Sequence, residues 1–268
     1  MLENLKKFLN RKDESKSENQ RNSENRAERT RFTLMVEKYT AVEGDCLSVE
    51  GQLFGNAKEG EKVYALHRDG NISHLTITRI EETQDQRRVK FFFSQKDVLS
   101  SDWQYAVITD IPYQIEANVH QAVENPYLLG LSREFFERQG EGEFLNLFFR
   151  ELVRSHYLVA IETDGSLPIG EKDGAVTLKA GTKIIIPHVT MEQGESALPV
   201  FTDWFALGAM DQQTEAGWKR ETIIAGFPQV VSMLTKGEGF VINPYGPQLF
   251  YVSPELIQLS LIHISEPT

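Results

Sequence analysis

The sequence predicts two folded units, a small all-β barrel followed by an α+β domain, and three observations favour this. After position 31, roughly 80 residues form short runs of alternating apolar and polar side chains, separated by glycine-rich turns. From about position 123, apolar residues at helical spacing are interspersed with further short runs. The length of 268 residues suits one large domain or two units of moderate size.

The composition is that of an ordinary globular protein with an acidic surface. Hydrophobic residues make up 40%, charged residues 25%, and the net charge is −11, which makes a poor general ligand for nucleic acid or anionic lipid. The single cysteine, Cys46, excludes an internal disulfide and a multi-cysteine metal site. No run approaches the roughly 20 apolar residues of a membrane span, and no signal-peptide pattern opens the chain. We therefore expect a cytoplasmic protein without integral membrane association.

Residues 1–31 differ in composition from the rest. They hold nine Lys or Arg and six Asp or Glu, a net of +3, so the other 237 residues carry −14. Between positions 10 and 31 the only apolar residue is Ala27, and we expect a disordered charged arm. Residues 1–9 predict either a short docking or membrane-surface helix or a frayed terminus, since so short a helix is marginal alone. The apolar residues of that helical face are Leu2, Leu5, Phe8 and Leu9.

Residues 32–113 are predicted to form the barrel. Alternating runs begin at Phe32 and at Leu47, and Asp69-Gly70 is a tight hairpin signal because this pair accepts positive φ. Further runs lie at 75–77 and 89–93, and a last strand is expected at 105–109. About six short strands without a long helix predict a small barrel.

The glycine spacing in this region is more specific. Gly51, Gly55 and Gly60 follow a Phe-x-x-x-Val-Glu opening at Phe32, and residues 91–103 lead through a turn to the last strand. In this pattern the region resembles the second domain of translation elongation and initiation factors, the barrel that follows their GTPase domain. The chain has no Gly-x-x-x-x-Gly-Lys-Ser/Thr phosphate loop, so we expect no GTP binding.

The resemblance implies contact with RNA or the ribosome through basic side chains of the barrel. Acidic residues are interleaved with these side chains, so a solvated rim is the alternative. The candidate RNA-binding residues are Lys62, Arg68, Arg79, Arg87, Arg88 and Lys90.

Residues 114–122 are predicted to link the barrel to a second unit over 123–258. Asn125-Pro126 and Gly140-Glu-Gly142 mark breaks, with a short helix predicted between them at 133–139. Apolar spacing predicts a core-facing helix over 143–155. Strands are predicted at 157–161, 184–191, 198–202, 222–225, 239–242 and 249–252, and helices at 204–210 after an Asp203 cap, at 228–235, and from Ser253-Pro254.

Three segments of this unit form a more specific pattern. They are Leu198-Pro-Val-Phe-Thr202 before a short helix, Phe240-Val-Ile-Asn-Pro244, and a Leu-Phe-Tyr-Val-Ser-Pro-Glu-Leu ending at Leu256. Through them the unit resembles the SseB family N-terminal domain. The resemblance implies an α+β fold in a small cytoplasmic bacterial protein, and it implies no catalytic residues because the family has none established. Many members continue into a second, C-terminal SseB domain.

No motif in the sequence predicts catalysis, a metal or a cofactor. The six histidines show no metal-ligand spacing, and neither Gly-x-Ser-x-Gly nor His-Glu-x-x-His occurs. We therefore expect no enzyme and no cofactor. An enzyme completed by residues beyond Gln258 is the weakest alternative.

Aromatic residues and prolines concentrate near predicted loops of the second unit. Exposed aromatic side chains are typical anchors for a protein partner, and the plainer interpretation places most of them in the core. We predict that Trp204 and Tyr245 line a partner groove, which burial of both would exclude. The candidate partner-binding residues are Trp204, Phe205, Trp218, Tyr245 and Tyr251.

These observations favour a non-enzymatic cytoplasmic protein-binding or adaptor protein. The alternative is a translation-associated RNA or ribosome binder that acts through the barrel. Residues 259–268 resemble a translated transposase adapter used in DNA library preparation, so we expect native sequence to end near Gln258, with sequence lost beyond it.

Overall fold

The computed structural model describes residues 31–42, 46–84, 88–94, 102–112, 123–163, 171–172, 175–176, 183–191, 194–210, 219–246 and 249–265. The predicted arm over 1–31, apart from Arg31, and the whole of the predicted linker over 114–122 lie outside these residues.

The first unit is an eight-stranded antiparallel sheet. Its strands are β1 (Thr33–Met35), β2 (Lys38–Val42), β3 (Cys46–Phe54), β4 (Lys62–Leu66), β5 (Ile72–Thr76), β6 (Arg79–Glu82), β7 (Arg88–Ser94) and β8 (Val107–Thr109). Their order is β5-β4-β8-β1-β3-β7-β6, and β2 also pairs with β3. Because β5 approaches β7 as well, the sheet curls into a half-barrel.

The inner face of the half-barrel follows the alternation seen in the sequence. Phe32, Phe91 and Phe93 are fully buried there, and Phe91 meets each of the other two rings edge-on. Strand β3 crosses β1 at Gly51, where a Cβ would collide with the carbonyl oxygen of Met35. The glycine therefore permits the close approach of the two strands.

The second unit mixes helices with two sheets, which confirms the α+β class. Its helices are α1 (Pro126–Arg138), α2 (Gly142–Arg154), α3 (Trp204–Gly208), α4 (Phe227–Met233) and α5 (Pro254–Ser265). Its strands are β9 (His156–Thr163), β10 (Glu171–Lys172), β11 (Ala175–Val176), β12 (Ile184–Ile185), β13 (Val189–Thr190), β14 (Ser196–Val200), β15 (Lys219–Gly226), β16 (Gly239–Ile242) and β17 (Phe250–Val252).

Strand pairing defines the two sheets of this unit. One is antiparallel, β12-β9-β15, and the other has the order β13-β14-β16-β17; β10 and β11 pair separately. Strands β14 and β16 are parallel, and a bridge between Leu158 and Phe201 joins the two sheets. The side-by-side parallel ends of β14 and β16 bring the loops that follow them to one edge.

Two local predictions were wrong. The helix predicted at 133–139 is the second half of α1, which begins at Pro126. Proline opens this helix because the first helical turn needs no amide donor there. Instead of the single strand predicted over 184–191, the structure has two strands of two residues each, β12 and β13, which belong to different sheets.

One buried hydrophobic cluster spans both units. Met35, Leu66 and Val107, on the outer face of the half-barrel, belong to the same buried cluster as Tyr127 and Leu131 of α1. A Cβ on Gly130 would lie 2.7 Å from a methyl group of Val107, so glycine allows α1 to lie directly on β8.

Polar contacts cross the same interface. Arg133 of α1 donates a hydrogen bond to the hydroxyl of Thr33, and its guanidinium lies 4.2 Å from the centroid of the Phe54 ring. The hydroxyl of Tyr105 donates to Glu141 at 2.7 Å. The half-barrel and the α+β unit are therefore held together by buried apolar surface and by directional bonds.

Candidate functional site

Three aromatic side chains are exposed where the two parallel strands end. Trp204 and Phe205 follow β14 and are 41% and 59% exposed, and Tyr245 follows β16 and is 45% exposed. The carboxyl ends of adjacent parallel strands meet at one edge of a sheet. We call Trp204, Phe205 and Tyr245 the aromatic edge.

Buried hydrogen bonds join the two loops that carry the aromatic edge. The amide of Thr202 donates to Oδ1 of Asn243 at 3.0 Å, and Nδ2 of Asn243 donates to the Thr202 hydroxyl at 2.8 Å. Asn243 has φ of 51°, a left-handed conformation that asparagine tolerates better than most residues. Nδ2 of Asn125 donates to the Thr202 carbonyl at 2.9 Å and to the His156 carbonyl at 2.7 Å. The loops are therefore fixed to each other and to the start of α1.

Local contacts hold each exposed aromatic residue in place. Asp203 caps α3, because its Oδ1 accepts from the amide of Ala206 at 2.9 Å. No residue of this short helix is buried, so it presents Trp204 and Phe205 outward. Tyr245 stacks on the buried ring of Phe201, with centroids 6.3 Å apart and planes inclined by 18°. The cap at Asp203 confirms the position predicted from the sequence.

Arg31 lies against the aromatic edge. Its Nη2 is 2.6 Å from Oε2 of Glu124, and its Nη1 is 3.6 Å from Oδ1 of Asp203. Its guanidinium carbon lies 5.3 Å from the centroid of the Phe205 ring. No local pattern in the sequence predicts the contacts of Arg31 with Asp203 and Phe205, because they join residues more than 170 positions apart. The described chain thus begins beside the aromatic edge.

Of the two remaining predicted partner-binding residues, the structure describes one, Tyr251, and it does not join this edge. Trp218 lies outside the described residues. Tyr251 of β17 reaches toward the amino end of β16, where its hydroxyl would lie 2.7 Å from a Cβ on Gly239. There it lines an open cleft of about 590 Å³ with Ser196 and Glu238. Trp204, Phe205 and Tyr245 come together, and Tyr251 belongs to the opposite end of the sheet.

Two residues that line the cleft, Ser196 and Glu238, are in contact with His188. Nδ1 of His188 lies 2.5 Å from Oε1 of Glu238 and 3.3 Å from the Ser196 hydroxyl, which also donates to Glu238 at 2.9 Å. Burial raises the pKa of Glu238, but hydrogen bonds from Thr235, Ser196 and His188 outweigh it and leave the pKa lowered. A catalytic triad needs the serine on the other ring nitrogen, Nε2, so these contacts do not activate the hydroxyl.

The basic candidates of the half-barrel are interleaved with carboxylates. Three arginines form ion pairs: Arg68 with Asp102 and Glu143, Arg79 with Glu81, and Arg88 with Glu37. Lys62 is exposed at the start of β4, Lys90 stands opposite Glu50 and Glu81 in the sheet, and Arg87 lies outside the described residues.

Neither a metal-ligating cluster nor a membrane-spanning helix occurs in the described part of the chain. No group of three His, Cys, Asp or Glu side chains there is placed to hold a metal ion. In the same residues no helix combines the length and the apolar character needed to cross a membrane.

Residues 136–258 match the SseB protein N-terminal domain. The match includes α2, both sheets and both loops of the aromatic edge, and it begins within α1. The half-barrel precedes the SseB domain and lies outside the match. No curated protein matches the chain.

Proposed function

We propose that the chain is a non-enzymatic, cytoplasmic protein-binding or adaptor protein whose SseB domain holds its partner at the aromatic edge. The supporting observation is the exposure of Trp204, Phe205 and Tyr245 on loops that buried hydrogen bonds hold in place. Aromatic side chains offer large contact areas for few rotatable bonds and are frequent binding anchors.

The fixed loops favour binding because little order has to be gained when a partner arrives. Removing a well-packed interface anchor typically costs about 2 kcal/mol or more of binding free energy, and ordering a mobile side chain costs about 0.5–1.5 kcal/mol. Asn243 and Asp203 already fix the loop backbones. We therefore expect the cost of ordering these loops to take away little of the binding free energy that the aromatic edge contributes.

A non-catalytic role is part of the proposal. The Ser196–His188–Glu238 contacts lack the geometry of nucleophilic catalysis, and Glu238 is engaged by Thr235 as well, at 2.9 Å. Hydrogen bonds of this kind stabilise the turn before β16. The proposal includes no cofactor and no GTP.

The second candidate is a translation-associated RNA or ribosome binder, and the curled all-β architecture of the half-barrel supports it. The sequence resemblance of this region to the second domain of translation factors is the other argument for this candidate. The ion pairs of Arg68, Arg79 and Arg88 speak against it, because a phosphate would have to compete with carboxylates already in place.

The two candidates are separated by capture from a bacterial lysate at low and high salt. The bait is the full chain, as wild type, as Trp204→Ala/Phe205→Ala, and as Tyr39→Ala, a control that removes an aromatic residue 49% exposed on the half-barrel. We expect one protein that can be cross-linked to the wild type and to the control at high salt, and that is not captured by the double variant. Retention of that protein by the double variant would refute the proposal. RNA that is present only at low salt would support the second candidate.

A further inference from the structure

We propose that, in the absence of a partner, the aromatic edge is covered by residues 1–9 of the same chain. This inference rests on the proposed function, because it assigns a regulatory occupant to the same surface. It follows from where the described chain begins, from the length of the segment before it, and from the chemistry of its first nine residues.

The arm leaves the folded part of the molecule beside the aromatic edge. Arg31 is held there by Glu124 at 2.6 Å and by Asp203 at 3.6 Å, and its side chain is only 14% exposed. Its backbone amide donates to Asp110 at 3.0 Å, which fixes the last point before the arm. The arm is therefore attached at a residue whose side chain reaches the aromatic edge, with its guanidinium carbon 5.3 Å from the centroid of the Phe205 ring.

The connecting segment has a suitable length. For the disordered arm that the composition predicts, the 21 residues between positions 9 and 31 would have a root-mean-square span of about 25 Å. A tether of this kind holds a segment at an effective concentration of about 1 mM near its anchor. Residues 1–9 can reach the aromatic edge without strain.

The chemistry of the segment complements the surface. Leu2, Leu5, Phe8 and Leu9 share one helical face, and Lys6 and Lys7 lie off it. The arm carries a net charge of +3 and the rest of the chain −14, so electrostatic attraction favours contact between the arm and the folded unit. A nine-residue helix is marginal alone and gains order when its apolar face is covered, which is how amphipathic helices bind apolar grooves.

Weak intrinsic affinity suffices for such a cover. If residues 1–9 bind with a dissociation constant of about 100 μM, a 1 mM effective concentration occupies the site about nine-tenths of the time. Any competitor then binds about tenfold more weakly than it would to an uncovered edge. A partner with micromolar or tighter affinity still displaces the arm.

The test uses a fluorescent peptide of residues 1–9 and full-length proteins. We expect it to bind Leu5→Asp/Phe8→Asp about tenfold more tightly than wild type, because the altered arm no longer covers the edge. Asn4→Asp/Asn10→Asp adds the same charge away from the apolar face and should behave like wild type. Adding Trp204→Ala/Phe205→Ala to the Leu5→Asp/Phe8→Asp protein should abolish binding.

Each outcome decides the matter. Equal affinity for wild type and Leu5→Asp/Phe8→Asp, or binding that survives loss of the aromatic edge, overturns the inference. A tenfold difference that vanishes on dilution of the protein also overturns it, because the cover would then come from a second copy. If the peptide binds no variant while lysate capture still depends on Trp204 and Phe205, this inference fails and the proposed function stands. If the peptide discriminates but lysate capture does not, docking of the arm stands and the proposed function fails.

Discussion

Replacing Asn243 tests whether the aromatic edge owes its rigidity to the buried contact between the loops. Asn243→Ala removes the acceptor of the Thr202 amide and the donor to the Thr202 hydroxyl. Two lost hydrogen bonds cost about 2 kcal/mol, and the orphaned buried amide adds about 1–2 kcal/mol. Alanine at φ 51° adds about 1 kcal/mol of strain. We expect a loss of about 4 kcal/mol in the free energy of unfolding.

Asn243→Gly separates the two causes, because glycine accepts the left-handed conformation but makes neither side-chain bond. We expect it to lose about 1 kcal/mol less than alanine. Urea denaturation followed by tryptophan fluorescence measures both values. A loss below about 1 kcal/mol for Asn243→Ala would show that water replaces the side chain and that the contact does not hold the loops.

Three further predictions concern the interface, the arm anchor and the cleft. Gly130→Ala should destabilise the protein by about 1–2 kcal/mol in thermal melts, because its Cβ would lie 2.7 Å from Val107; in a Val107→Ala background the same change should be neutral or stabilising. Arg31→Ala should cost about 1–3 kcal/mol because it removes the largely buried ion pair with Glu124. Lys38→Ala, which removes an exposed ion pair, should change the stability by no more than about 0.5 kcal/mol, and similar values for both would contradict the anchor. The pKa of Glu238 is lowered in the folded state, so its stabilising contribution is present above the unfolded-state pKa and is lost as the pH falls through the folded-state pKa. The difference in free energy of unfolding between wild type and Glu238→Gln should therefore become smaller in acid. A difference that does not change with pH would refute this prediction.

The sequence predicted well those features that depend on neighbouring residues. The Asp203 cap, the β16–β17 hairpin and the Ser253-Pro254 helix start each depend on signals within a few positions. The helix at 133–139 was predicted too short because Gly130 and Pro126 disfavour helix interiors. The glycine is explained by packing on Val107, a contact that only the assembled fold shows.

Parts of the candidate site were beyond sequence reasoning for a different reason. Trp204 and Tyr245 both follow predicted strands, and the structure places both, exposed, at one edge of the sheet; their role in binding stays a prediction. Tyr251 was grouped with them, and only the pairing of β17 shows that it reaches the other end of the sheet. The Ser196–His188–Glu238 contacts join three separate segments and carry no motif. In each case the missing information was which strand lies beside which.

The buried cluster that spans both units shows that the half-barrel and the α+β unit depend on each other for part of their packing. Residues at their junction also build the aromatic edge: Glu124 binds Arg31, and Asn125 binds the Thr202 carbonyl. The half-barrel in turn fixes Arg31, because Asp110 at the end of β8 accepts the backbone amides of Arg31 and Phe32 at 3.0 and 2.8 Å. A disturbance of the half-barrel would therefore reach the edge through Arg31 without any change in the SseB domain itself. On this reasoning the half-barrel places both the junction and Arg31 beside the aromatic edge.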